Sequence, residues 1–347
     1  MRLTTALYTA TIAGLASASP LAKRACAPFQ GDFTVKQYQL YPENADFDFN
    51  TCKLYIGQIW NASLGIYDPY TQSHEIVEFA NISHNPLFHL GAVGVDRKSE
   101  LLSLIADYAN SFPSEGTDIA GTNWLIQYDV AKRAVNWKLN LTAVSGGAYG
   151  GFQDVEQDPD GNVFVVGTWP GTLIKVSKDG KTATPWYLPE KIVQTEKGIG
   201  GIAALGWILL AQGDASGQIW KFDLKADKGV PVPVKITKGN HTFSASDAAY
   251  APPKYAGKVL LVAEDTVGVS VFYSADALWD EAEFKGLVPI GTVDAGTSIT
   301  APVQVGDGVY MVLEPFGDEG LAGPGTAGNR TDFLFRDISV EVDAFLK

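Results

Sequence analysis

The residues of this 347-residue chain best suited to moving protons are a few histidines and a set of carboxylic acids placed where short apolar segments begin or end. His89, Asp154, Asp247 and Glu264 are the candidate catalytic groups, because ionisable side chains at strand ends can face a ligand held by the loops. Glu43, Trp60, Phe88, Asp107, Tyr108, Gln153, Trp169, Lys197, Gln212, Thr297 and Glu314 stand at boundaries of the same kind and are the candidate substrate-binding residues. His84 belongs to the same loop set, and Trp60, Phe88, Tyr108 and Trp169 together would make an apolar cup. Such a set could protonate a leaving group, hold reacting partners in place and keep water out. No Gly-rich phosphate loop or dinucleotide fingerprint accompanies it, so no redox cofactor is expected. Two cysteines exclude a metal site built on cysteine.

The elements that must position these residues come from a weak internal period of roughly 45 residues, the range of propeller blades. Each unit reads as four short strands. In one, GAVGVD (91–96), LLSLIAD (101–107), NWLIQYDV (123–130) and 134–141 follow in order; in the next, an Asp-Pro-Asp-Gly turn joins 152–158 to NVFVVGT (162–168). Further units run from Glu43 to Ala80, from Ile199 to Thr237 and from Ser246 to Gly291. The last, from Thr297, offers three strands, ITAPVQV, GVYMVL and DFLFRDISVEV, and the segment Phe33 to Tyr41 supplies its fourth. The expected fold is all-β, a six-bladed β-propeller closed by its N-terminal strand, which removes free sheet edges. Ser274 to Glu283 is the one stretch with helical character. Two insertions, Asn110 to Thr122 and a Gly-rich Pro315 to Thr331, should emerge over the channel mouth as lids.

Residues 1–19 have the charged start, apolar run and small-residue cleavage context of a secretory signal peptide, and 20–24, ending in Lys23-Arg24, form a short pro-segment. Residues 25–347 are then one domain, since no Pro/Ser linker divides them. Secretion agrees with sequons at Asn61, Asn81, Asn140, Asn240 and Asn329, and with Cys26 and Cys52 as one disulfide. All the sequons fall on the loops of the channel mouth, where Asn61, beside Trp60, is the one best placed to line the pocket instead. The formal net charge of −13 would repel phosphate backbones, so no nucleic-acid partner is expected, and no segment is suited to spanning a membrane.

The stretches YPENADFD, LYIGQIWNASLGIYDPY and ISHNPLFHLGAVGVD resemble the secreted fungal propellers of terpenoid biosynthetic clusters, which include the trichothecene-cluster propeller protein and the hetero-Diels-Alderases of tropolonic sesquiterpenes. That resemblance implies a cofactor-independent cyclase acting in the secretory lumen on a small hydrophobic terpenoid or polyketide-derived substrate. A hydroxyl would leave as water and a carbon–oxygen ring would close. More distantly, Glu43-Asn-Ala-Asp-Phe-Asp48 with KLYIG and GIYDP looks like the opening of the SMP-30/gluconolactonase propellers. In those, a Glu, an Asn and an Asp hold a divalent metal; Glu43 and Asp247 match, and Gln153 or Asp154 replaces the Asn. A metal-dependent lactonase is therefore the alternative reading, and a secreted propeller that binds a ligand without turnover is a third.

Overall fold

The computed structural model describes residues 26–213, 217–243, 245–321 and 325–347. The proposed signal peptide and pro-segment lie outside the described residues. The chain opens with β1 (Phe33–Lys36) and then builds one sheet after another. Blade one is β2 (Pro42–Asp48), β3 (Lys53–Gln58), β4 (Ser63–Asp68) and β5 (Ser73–Val77); blade two is β6 (Phe88–Val95), β7 (Leu101–Tyr108), β8 (Trp124–Asp129) and β9 (Ala134–Asn140). After a short helix, α1 (Leu141–Ser145), blade three follows as β10 (Gly150–Gln157), β11 (Val163–Trp169), β12 (Thr172–Val176) and β13 (Ala183–Tyr187). Blade four is β14 (Ile199–Leu205), β15 (Ile208–Gly213), β16 (Ile219–Asp223) and β17 (Val232–Pro233). Blade five has five strands: β18 (Lys235–Lys238) joins the outside of β22 (Glu281–Pro289), which follows β19 (Ser246–Tyr250), β20 (Val259–Glu264) and β21 (Gly268–Tyr273). Blade six is β23 (Thr297–Val305), β24 (Gly308–Pro315) and β25 (Asp332–Asp337), with β1 antiparallel to β25 as its outer strand; the chain ends on helix α2 (Ser339–Phe345). This is the expected six-bladed propeller, closed by its N-terminal strand.

Local chemistry explains the hairpins. At the lower turns, Asp48, Asp96 and Asp158 each accept a hydrogen bond from the backbone N–H two residues on, at 2.8, 2.9 and 2.9 Å, which turns the chain between first and second strands. Many of the acidic residues are thus turn-formers and not site residues. Alternating apolar side chains pack between neighbouring blades in six clusters, one per interface. At the lower end of the channel, Arg97 reaches from blade two to Asp46 at 3.1 Å and toward the Tyr250 hydroxyl at 3.5 Å, so blades one, two and five meet across the axis.

Three expectations are corrected. The closing strand covers only Phe33–Lys36, because Gln39 and Tyr41 take positive φ values of 59° and 37° and turn the chain into blade one. Residues 274–280 form turns and bends, with Glu281 already in β22, so there is no helix from Ser274 to Glu283. The helix lies at Ser339–Phe345 instead: Asp337 accepts from the Ser339 N–H at 2.8 Å, and Ile338 and Val342, four apart, bury one face. Its valines read as strand in the sequence.

The Cys26–Cys52 disulfide, with Cα atoms 5.6 Å apart, ties the segment before β1 to the first turn of blade one. Phe33 stacks on Phe335 of blade six and Tyr67 of blade one, at 4.8 and 5.8 Å, so this seam holds the ring closed. Replacing both cysteines by serine is expected to lower stability by roughly 3 kcal/mol in denaturant titrations while leaving the blades intact, as loop-entropy arguments give for a loop of this size. Unchanged stability would show that the aromatic seam alone secures the closure.

Candidate functional site

The second strand of every blade carries a polar residue at its last or next-to-last position, preceded by a small or aliphatic one: Gly57-Gln58, Ala106-Asp107, Gly167-Thr168, Ala211-Gln212, Ala263-Glu264 and Leu313-Glu314. All six polar side chains are buried. They form a ring around the upper end of the channel, and most are engaged by neighbours. Gln58 accepts from the Ser63 hydroxyl; Gln212 accepts from Ser246 at 2.8 Å and donates to the Asp247 carbonyl. Glu264 Oε1 lies 2.6 Å from His241 Nε2 and accepts from Ser270, and Glu314 Oε1 accepts from the Trp60 indole at 3.1 Å. Asp107 is the member that opens into the cavity, and its Oδ1 has no partner.

Above the ring lies a cavity of about 320 Å³. Glu43, His89, Asp107, Gln153, Lys197 and Asp247 bring its polar groups; Ile59, Trp60, Phe112, Pro113 and Phe316 bring its apolar wall, and Ser246, Asp265 and Ser298 also reach it. Trp60 is the hinge of the wall: its ring meets His89 edge-on at 5.0 Å and Phe316 at 6.1 Å, while its N–H is held by Glu314. Glu43 Oε2, His89 Nε2 and Asp107 Oδ1 are all buried without a hydrogen-bond partner. Gly91, at the bulge of β6, allows this, because a Cβ there would stand 2.8 Å from Asp107 Oδ1.

Burial sets the protonation states. It pushes the Asp107 carboxyl up to about 8, and it raises Glu43 well above the carboxylate range with further help from the charges of Asp247 and Asp107. It lowers His89 to about 4. Near neutral pH the histidine is an uncharged acceptor or donor, and the carboxyls hold protons. Between histidine and carboxyl, which residue type leaves open, burial makes the carboxyl the proton carrier.

Of the candidates read from sequence, the fold brings Glu43, Trp60, His89, Asp107, Gln153, Lys197 and Asp247 together. Asp154 stands lower in the channel, where its oxygens accept from the N–H groups of Val155 and Ile202 at 2.9 and 2.7 Å; it joins blades three and four. Glu264 is turned to His241 and Ser270 inside blade five, and His84 is exposed beside Glu78. Phe88, one residue from His89, points the other way into the interface of blades one and two, as strand alternation requires. Thr297, beside Ser298, faces an outer cleft for the same reason. Gln212 and Glu314 support the wall from behind, and Asn61 donates to the Gln39 carbonyl at 3.4 Å without reaching the cavity.

Tyr108 and Trp169 act through the insertion 110–122. Tyr108 donates to Asp118 at 3.0 Å, Trp169 packs on Phe112 at 4.8 Å, and Gly116 lies so close over the indole that a Cβ would fall 2.4 Å from it. Gln194 adds a bond to the Gly116 carbonyl at 3.1 Å. The insertion is therefore a fixed wall, with Phe112 and Pro113 as the lining residues that blade patterns gave no means of finding. An apolar pair inside an otherwise polar loop, Phe112-Pro113, was the available signal.

No protein-family model matches the chain. It is 32% identical to trichothecene biosynthesis protein 14 of Trichoderma arundinaceum over 353 residues, covering 96% of this chain and 95% of that protein. The chain belongs to the trichothecene cluster protein 14 family. A second member, core trichothecene cluster protein 14 of Fusarium sporotrichioides, is 29% identical over 92% of the chain and 88% of its own length. In fold, this family member superposes on the Malassezia sympodialis allergen Mala s 1 with a TM-score of 0.76 at 22% identity, over 89% of the chain and 96% of the allergen.

Of the four residues that the gluconolactonase resemblance singles out, Glu43 and Asp247 share the cavity, Asp154 is committed to backbone N–H groups, and Gln153 donates to the Gly200 carbonyl through its amide nitrogen and not its oxygen. Among the described residues, no group of three His, Cys, Asp or Glu side chains is placed to hold a metal.

A buried carboxyl with a raised folded-state pKa stabilises the fold below the unfolded value near 4, and that contribution is lost as pH rises through about 8. Wild type should lose more stability between pH 5 and pH 8 than Asp107→Asn, by on the order of a few kcal/mol in denaturant titrations. Parallel pH profiles would show that Asp107 ionises normally.

Proposed function

We propose that this protein is a terpenoid cyclase that promotes departure of a hydroxyl as water and closure of a carbon–oxygen ring, by a trichothecene-like cyclisation or a hetero-Diels-Alder-type addition of a tropolonic quinone methide to a sesquiterpene. The observation that carries the reading is a single cavity, in a trichothecene-cluster family member, where buried polar atoms without partners face a wall of aromatic rings. Such atoms are costly to bury alone and become satisfied when a ligand brings hydroxyl or carbonyl groups to them. The aromatic wall suits an apolar ring skeleton and keeps water from an electrophile. Holding two reacting ends at near-attack distance is the part of the barrier a rigid cavity can remove. The chemistry is acid–base and needs no electron transfer.

Secretion, glycosylation of the five sequons and a vesicular or extracellular place of action belong to the same reading. The disulfide supports them.

The reading is tested by giving the purified protein a hydroxylated sesquiterpene precursor and, separately, a preformed tropolonic quinone methide with its alkene partner. Trp169→Ala should release the 110–122 wall through Phe112, lowering the rate by about 10²-fold and eroding stereochemical outcome on both substrates. A product ratio and rate equal to the uncatalysed reaction with wild-type protein would sink the cyclase reading and leave a binding propeller.

A further inference from the structure

We propose, resting on the cyclase reading, that Asp107 and His89 are the acid and the base of the ring closure, so that one cross-strand pair both removes the leaving hydroxyl and activates the attacking one. The two residues are direct partners in the register of β6 and β7, both line the cavity, and each has one buried polar atom, Asp107 Oδ1 and His89 Nε2, without a partner. They are 2% and 4% exposed, so water does not satisfy these atoms from outside. Gly91 on the intervening bulge leaves room for the carboxyl to reach over the inner strand. Elsewhere in the polar ring, Gln58, Gln212, Glu264 and Glu314 each bond a neighbouring side chain; Gln58 Nε2, Thr168 Oγ1 and Glu314 Oε2 are also without a partner, but only Asp107 of the six reaches the cavity.

The step balances. The Asp107 carboxylic acid gives its proton to the departing hydroxyl, the carbon–oxygen bond breaks with its electrons on oxygen, and water leaves. The second hydroxyl of the substrate forms the new carbon–oxygen bond to the electrophilic carbon and passes its proton to His89 Nε2. Proton return from the imidazolium to the Asp107 carboxylate, directly or through the released water, restores both groups. The net change is a diol to a cyclic ether plus water, with no oxidant or reductant. Asp107 protonated up to about pH 8 and His89 neutral down to about pH 4 are the resting states this sequence requires. Glu43, Asp247, Asp265 and Lys197 face the pair from the other blades, and Trp60 closes the side nearest His89.

The test uses full-length protein and a sesquiterpene allylic diol whose second hydroxyl can close onto the allylic carbon. Asp107→Asn should cost about 10²- to 10⁴-fold in kcat on the diol and recover most of its rate on the preformed quinone methide, where no hydroxyl leaves, and His89→Gln should be slowed on the diol, where an attacking hydroxyl must lose its proton. The wild-type rate should fall above about pH 8. Infrared difference spectra at pH 6 should show a protonated-carboxyl band lost in Asp107→Asn, a readout independent of turnover. Full activity of Asp107→Asn on the diol, transfer of the loss to Glu43→Gln, or absence of the infrared difference overturns the assignment. Failure of the wild type to convert any diol overturns the cyclase reading instead, and the infrared result then still decides whether Asp107 holds the proton.

Discussion

The desolvation of carboxyl groups at the upper end of the channel governs the chemistry of this protein. Six blades converge on an axis, and the fold places the polar end of each second strand in the same ring, sealed from water by the neighbouring sheets. An ionised carboxylate there would lack solvation, so burial drives Glu43, Asp107 and Glu314 toward the neutral form. A neutral carboxyl is a hydrogen-bond donor and a proton source. The histidine in the same space moves in the opposite direction for the same reason, so a dry wall separates the two roles without any salt bridge between them.

That arrangement is useful only if the ring does not breathe, and the closure of the propeller secures it. β1 pairs with β25 across the first and last parts of the chain, the disulfide fastens the approach to it, and Phe33 lies between aromatic rings of blades one and six. Arg97 crosses the lower end of the channel, with Asp46 and Tyr250 drawn to it from two other blades. Rigid inner strands then fix the positions of the ring residues, while loops of unequal length shape the space above them. The wall formed by residues 110–122 is anchored at Tyr108, Trp169 and Gln194, which holds its aromatic lining against the strands below it.

The blade pattern was legible in the sequence because alternation and turn residues repeat, and the strand boundaries of blades two and three fall within a few residues of those expected. The site was legible by half. Which strand ends cluster follows from topology, and His89, Asp107, Asp247, Glu43 and Trp60 were found that way. Which side of a strand a residue faces depends on register, so neighbours part: Phe88 packs into the interface of blades one and two while His89 lines the cavity. Asp154 and Glu264 have the right residue type and the right height in the blade, yet their oxygens are taken by partners distant in sequence, Ile202 and His241. Protonation was not legible at all, since it arises from burial that only the assembled fold creates.

Residue type alone left the acid open between the histidine and its acidic neighbours, and the packed environment gives the proton to the carboxyl. That outcome follows from one rule applied to two groups: burial favours whichever form is uncharged, and for a carboxylic acid that form holds a proton while for imidazole it does not. In an exposed cleft the same two residues would form an ion pair, with the aspartate as acceptor and the histidine as donor, and neither would be ready to protonate a hydroxyl. Removing water from around both therefore does more than exclude a competing nucleophile. In the proposed ring closure it sets the direction in which the proton travels across β6 and β7, from Asp107 to substrate and from substrate to His89.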